Sequence, residues 1–281
     1  MHVVVNGARL FFDVEGAKFV ADGPVLRERP TLLLLHGGPG ADHSTYKPAF
    51  ASLADVAQIV FLDHRGNGRS EGADPETWRL AQWADDVAAF CEALGIVRPV
   101  VLGTSFGGYV ALAYATRHPE HASRLVLVST AARRNPARGY AVYERRGGRA
   151  ARSAAQRMDE APGPEALADF VRLCLPLYNT RPPDLDAMAR VQWNHPLMFH
   201  FMAGERRRFD FLPALHRIRC PTLVLGGDDD PVTPIEDQEE IAAAIGPNAR
   251  LERFRGCGHG ILRDDPARML AVVRAFLLEA A

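Results

Sequence analysis

The sequence predicts an α/β protein, a mostly parallel central sheet flanked by helices, with a helical cap inserted after the sixth strand. Three observations carry that expectation. Short, continuous apolar runs at 31–35, 59–62, 100–102, 125–128 and 223–225 have the form of strands buried on both faces of a parallel sheet. Amphipathic stretches separate them, clearest at 77–94, where Leu80, Trp83, Ala84, Val87, Phe90, Cys91 and Leu94 recur at helical spacing and Gly95 follows. The alternation then stops: between about 133 and 213 there is no strand pattern, only helix-like pieces punctuated by Pro162-Gly163-Pro164, Pro176, Pro182-Pro183 and Pro196.

Taken in order, the chain opens with a hairpin, since the strand-like runs 2–5 and 9–14 are joined through Asn6-Gly7, a dipeptide suited to a type I′ turn. A Gly/Pro-containing loop leads to the first parallel strand. After the insertion, the strand-helix rhythm resumes at Pro221. It ends in a helix over 264–279 whose apolar face holds Met269, Leu270, Val273, Phe276 and Leu277. The expected division is a core of residues 1–132 and 214–281 and a cap of residues 133–213.

Composition narrows the function classes. With 281 residues, 47% hydrophobic, 24% charged and a net charge of -1, the chain has ordinary globular composition and no polycation to displace counterions from nucleic acid. No nucleic-acid partner is expected. Cys91, Cys174, Cys220 and Cys257 form no CxxC pair, so reduced, packed thiols are expected rather than zinc ligands or a disulfide framework. His36 and His64 have no second ligand at metal spacing, and neither metal nor cofactor is expected. The first residues carry too short an apolar run for a signal peptide, and no stretch approaches the roughly 20 apolar residues of a membrane helix. A cytoplasmic protein with no membrane partner is the default expectation; the oligomeric state is open.

The chemistry-bearing motif is Gly103-Thr104-Ser105-Phe106-Gly107, a G-x-S-x-G between a short strand and a helical pattern, the context of a nucleophile elbow. A serine on so tight a turn crowds positions two before and two after, where glycine relieves the clash. The turn leaves Ser105 at a helix start, where the Phe106 N–H can face a developing oxyanion. A hydroxyl needs a base, and the order serine, acid, histidine leaves His259, the sole histidine beyond the acidic loop. Asp228, Asp229 and Asp230 are the candidate acids, because Ser129-Thr130-Ala131 after the earlier strand holds no carboxylate. Asp230 is preferred, since it precedes Pro231 at the turn into the next helix. Its expected work is to hold the imidazole tautomer and stabilise the imidazolium. The glycine-rich turn at 36–40 offers backbone N–H groups close to substrate, with Gly38 the expected second oxyanion donor and Gly37 the fallback. Neither a P-loop nor G-x-G-x-x-G accompanies it, which argues against nucleotide binding.

With these residues in place the chain resembles the α/β-hydrolase superfamily, and within it the proline iminopeptidase branch. The resemblance rests on HGGPG at 36–40, DxRGxGxS at 63–70, GTSFGG at 103–108, DPVTP at 230–234 and Gly258-His259. It implies the α/β-hydrolase fold and an acyl-enzyme route on a small amide, N-terminal residue or ester enclosed under the cap, with a small-molecule or short-peptide substrate. Two departures bear on the branch: Phe106 stands where relatives carry tryptophan, and Pro231 where some carry an acid.

A buried substrate amine needs a carboxylate, for which the insertion offers Glu144, Glu165, Glu205 and Asp210. Gly37, Trp193 and Glu205 are the substrate-binding candidates. Trp193, His195, Phe199, His200 and Phe201 read equally as packing or as a substrate lid. The arginines at 133, 134, 138, 145, 146, 149, 152 and 157 read as a solvated helix face before an anion site. Asp63, Arg65 and Ser70 are expected to pin a loop near the site. Esterase or lactonase chemistry is the alternative within this class, and a non-hydrolytic ligand receptor is the alternative outside it.

Overall fold

The computed structural model describes residues 1–279. Ten strands form in chain order: β1 (His2–Val5), β2 (Ala8–Glu15), β3 (Phe19–Asp22), β4 (Val25–Glu28), β5 (Thr31–Leu35), β6 (Gln58–Leu62), β7 (Val100–Thr104), β8 (Arg124–Val128), β9 (Thr222–Gly227) and β10 (Ala249–Phe254). Eight of them make one sheet in the order β1-β2-β6-β5-β7-β8-β9-β10, antiparallel for the first two and parallel from β6 onward. The strands β5, β8 and β9 are buried along their whole length, which is why they read as unbroken apolar runs. Asn6 and Gly7 both take positive φ (47° and 75°), the conformation a type I′ turn demands.

Helices cover both faces. Among them α1 (Lys47–Phe50), α2 (Leu80–Ala93) and α3 (Phe106–Arg117) precede the insertion. The insertion itself carries α4 (Pro136–Glu160), broken at Gly148 (φ 72°), then α5 (Pro164–Leu173), α6 (Leu185–Ala189) and α7 (His195–Ala203). The remainder, α8 (Ile235–Ile245), α9 (Ile261–Asp264) and α10 (Pro266–Leu278), returns to the sheet. The two halves of the core lie on opposite sheet faces: Leu33, Leu35 and Val101 pack with α2 and α3, while Leu32, Leu34 and Leu102 pack with α10. The helical segment leaves after β8, the sixth strand of the main sheet. Its ends meet where the Phe211 N–H donates to the Ala132 carbonyl at 2.8 Å and residues 133 and 210 form a lone antiparallel bridge.

Two details differ from the sequence expectation. The second helix begins at Leu80, not Thr77, because residues 75–77 form a 3-10 turn capped by Asp74 and Arg79 is extended (φ -129°, ψ 146°). The loop before β5 contains the exposed hairpin β3-β4, whose turn uses Gly23 at φ 60°. Most of its residues face solvent and it buries no apolar face, so it leaves no hydrophobic alternation to read. The four cysteines are free and buried.

Candidate active site

Ser105 sits between β7, near the middle of the sheet, and α3, at φ 52° and ψ -115°. This strained turn is held by the Ser105 N–H donating to Val128 O (2.9 Å) and by the Ser105 carbonyl accepting from Gly108 N (2.9 Å) and Thr130 Oγ1 (2.9 Å). A Cβ at Gly103 would strike the Gly107 carbonyl, and one at Gly107 the Leu35 carbonyl. Backbone atoms cannot yield as a flexible side chain can, so both positions require glycine. The crowding extends to the neighbouring strand as well as to the turn itself.

His259 lies in the loop after β10, with its backbone N–H donating to the Tyr178 carbonyl at 2.6 Å and the Tyr178 ring packed edge-on 5.3 Å from the imidazole. Its Nε2 is 2.9 Å from Ser105 Oγ and its Nδ1 is 2.8 Å from Asp230 Oδ2. Asp230, in the loop after β9, is fully buried and also accepts from Val232 N (2.7 Å), Thr233 N (3.0 Å) and Thr233 Oγ1 (2.9 Å). All three side chains therefore project from loops at the carboxyl ends of parallel strands, where ligands of open α/β sheets bind. Neither neighbouring aspartate bonds the imidazole: Asp228 pairs with Arg253 at 3.0 Å, and Asp229 meets Arg146 through its backbone carbonyl.

The glycine turn after β5 borders a cavity that Ser105 and His259 also line. Gly38 has φ 136°, and its N–H has no acceptor among the described residues; the same holds for the N–H of Phe106, the first residue of α3. The Gly37 N–H differs, donating to Tyr46 OH at 3.2 Å. His36 braces this turn: its Nδ1–H donates to Gly37 O (2.7 Å) and its Nε2 accepts the His64 N–H (3.2 Å). Burial pushes both His36 and His64 below the ordinary imidazole range, favouring the neutral form this arrangement uses. The next loop is tied in by the Asp63 carboxylate, which accepts from His43 Nδ1 (2.7 Å), His43 N (3.1 Å) and Arg69 N (3.0 Å). Ser70 Oγ donates to Asp63 O (2.6 Å), and Arg65 forks onto Asp86 (2.7 and 2.8 Å). The Phe106 ring is buried among Trp83, His64 and Phe201, so only its backbone faces the site.

Above Ser105 lies a cavity of about 610 Å³, lined by the glycine turn, by His259 and by the helical insertion. Gly37, Gly38 and Trp193 line it, Trp193 at the rim with 50% exposure and stacked on His195. Phe199, His200 and Phe201 do not line it. Glu205 corrects the expectation that it binds substrate: its carboxylate accepts the Leu80 N–H at 2.6 Å, capping the start of α2 outside the cavity. Three further candidate carboxylates also turn away. Glu144 pairs with Arg152, Glu165 is exposed, and Asp210 accepts from Leu212 N. The arginines of the insertion are mostly paired with acids, as Arg133 and Arg138 are with Glu240; Arg134 pairs with Asp159, and both line the cavity. Sequence reading missed Asp159, Arg206, Tyr46 and Tyr178, which all line the cavity and belong to no motif.

Comparison with known proteins extends this picture. The family model described as alpha/beta hydrolase fold matches residues 30–266. The chain is 29% identical to the proline iminopeptidase PfmaB of Pestalotiopsis fici, with 98% of each chain covered. Among solved structures, the enol-lactonase of Burkholderia xenovorans superposes with a TM-score of 0.76 at 27% identity, covering 99% of this chain and 100% of that one. The proline iminopeptidase of Mycobacterium smegmatis superposes with a TM-score of 0.80 at 23% identity, covering 99% and 97%. No helix among the described residues is long and apolar enough to cross a membrane.

Proposed function

The chain belongs to the alpha/beta hydrolase fold family, and from that premise we propose that it is a serine hydrolase acting on a small ester or amide through an acyl-enzyme. The observation that carries this reading is the relay from Asp230 to His259 to Ser105, with both steps within hydrogen-bond reach of a working general base. In this mechanism His259 Nε2 takes the Ser105 proton as Oγ attacks the substrate carbonyl. Asp230 stabilises the imidazolium without taking the proton. The Gly38 and Phe106 N–H groups, free of internal acceptors, receive the oxyanion. His259 then protonates the leaving group, and a water activated by the same imidazole releases the acid. We assign residues 1–132 and 214–281 to the catalytic core and 133–213 to a cap that closes the cavity.

Ester, lactone or uncharged amide cleavage fits the cavity better than removal of an N-terminal residue. The two carboxylates lining it, Asp42 and Asp159, are each engaged by arginine, leaving no free partner for a substrate ammonium. Iminopeptidase-like cleavage is the second reading, favoured by the likeness to PfmaB. A fluorophosphonate probe tests the mechanism: it should label the folded protein at Ser105 and spare Ser105→Ala. Absence of labelling would favour the non-hydrolytic receptor. Turnover of short 4-nitrophenyl esters without release of arylamine from a proline arylamide would set aside the peptidase reading.

A further inference from the structure

The helical insertion contributes a charged cluster to the cavity that contains Ser105. The Asp159 carboxylate accepts from Arg134 Nη2, from Arg206 Nη1 and from Tyr140 OH, the last at 2.8 Å. Burial pushes the Asp159 carboxyl up, but the Arg206 and Arg134 guanidiniums outweigh it and hold the group below its ordinary range. The cluster therefore holds two positive charges against one negative.

Each guanidinium carries five N–H groups. One from each arginine is spent on Asp159, and the others have no acceptor among the described residues. Both side chains line the cavity at 18% and 15% exposure. A clamp joining α4 to the turn after α7 would need a single arginine, and a second, uncompensated charge in so enclosed a place costs free energy unless an anion completes it. The surrounding wall is aromatic and apolar, with Tyr109, Tyr143, Met158 and Phe170. That setting suits one planar monoanion held by guanidinium forks better than a doubly charged phosphate. The cluster also shares one cavity with the nucleophile: Ser105, His259 and Tyr178, whose ring packs edge-on against the imidazole, line the same space as Arg134 and Arg206.

We propose that Arg134 and Arg206, oriented by Asp159 and Tyr140, form a carboxylate subsite, and that the substrate cleaved at Ser105 carries a carboxylate remote from its scissile carbonyl. This rests on the reading of Ser105 as the nucleophile. For a half-ester of a dicarboxylic acid, the Ser105 Oγ–acyl bond forms as the ester C–O bond breaks, and the serine proton passes through His259 to the departing alcohol. Water then cleaves the acyl-enzyme, releasing the dicarboxylate and restoring the serine hydroxyl.

The test compares monoethyl esters of succinic through pimelic acid with ethyl esters of monocarboxylic acids of equal chain length. The wild-type enzyme should favour the best half-ester by about tenfold or more in kcat/KM, chiefly through KM. Arg206→Gln should bring that ratio to about one, with Arg134→Gln as the second variant should the first fail to fold. Arg157→Gln, which removes an equal charge from an exposed pair with Asp169, should leave the ratio in place. Equal or better use of the neutral esters across the series overturns the subsite, as does a ratio that survives both cavity substitutions. Calorimetric binding of the same esters to Ser105→Ala separates the two readings. Preferential half-ester binding without fluorophosphonate labelling of the wild type would keep the subsite and reject the nucleophile. Labelling without any half-ester preference would do the reverse.

Discussion

Replacing Asp230 by Asn probes the relay without changing its size. The carboxylate is fully buried and its Oδ2 faces His259 Nδ1 at 2.8 Å. Two unit charges at that separation interact by about 6 kcal/mol at an effective dielectric constant of about 20. That is the stabilisation an imidazolium would lose, and at about 1.4 kcal/mol per decade it amounts to roughly a 10⁴-fold fall in kcat. The amide NH2 adds a second fault. It would donate to Nδ1, shifting the imidazole proton to Nε2, so that the ring would face Ser105 as a donor instead of a base. Hydrolysis of 4-nitrophenyl butyrate by Asp230→Asn should thus fall by roughly 10³ to 10⁴ in kcat with KM nearly unchanged, the fold being checked by circular dichroism. Asp229→Asn, whose contact with Arg146 runs through the backbone carbonyl, should stay within about threefold of the wild type. An Asp230→Asn enzyme within tenfold of the wild type would refute the reasoning and move the acid elsewhere.

Other expectations follow from single contacts. Glu205→Ala should lower stability by about 1 kcal/mol, because the Leu80 N–H loses its charged cap, while kcat/KM for a neutral ester changes little; urea denaturation and initial rates measure the two separately. His36 and His64 are bases whose folded pKa lies below the ordinary 6.5, so the unfolded chain binds their protons first. Their contribution to stability is complete above pH 6.5 and is lost as pH falls below it, by about 1.4 kcal/mol per pH unit for each group until its folded pKa is reached. The Nε2 of His64 is buried without a partner among the described residues, so His64→Leu should shrink the loss between pH 7.5 and 5.5, measured by urea denaturation at both pH values.

The motifs legible in the sequence are those whose physics is local. At Gly103 and Gly107 a β-carbon would meet nearby backbone, so the need for glycine is written beside the serine itself. Buried parallel strands leave unbroken apolar runs, and chain order alone left one histidine to pair with Ser105. The choice among three adjacent aspartates drew on a proline next door. The structure then brings Asp230, rather than its neighbours, within 2.8 Å of the imidazole.

The layered α/β architecture, the place of the helical insertion and the three side chains worth testing were readable from the amino-acid order alone, because each follows from periodicity or from sterics within a few residues. Where the insertion's charges go depends on long-range packing. Glu205 caps a helix that begins 125 residues earlier, and Asp159 gathers arginines from 25 residues before and 47 after it. A charged side chain can pair with any opposite charge that folding brings near, and helical spacing gives only the face it occupies, not what that face meets. The cavity's chemistry was therefore fixed by how the insertion packs over the sheet.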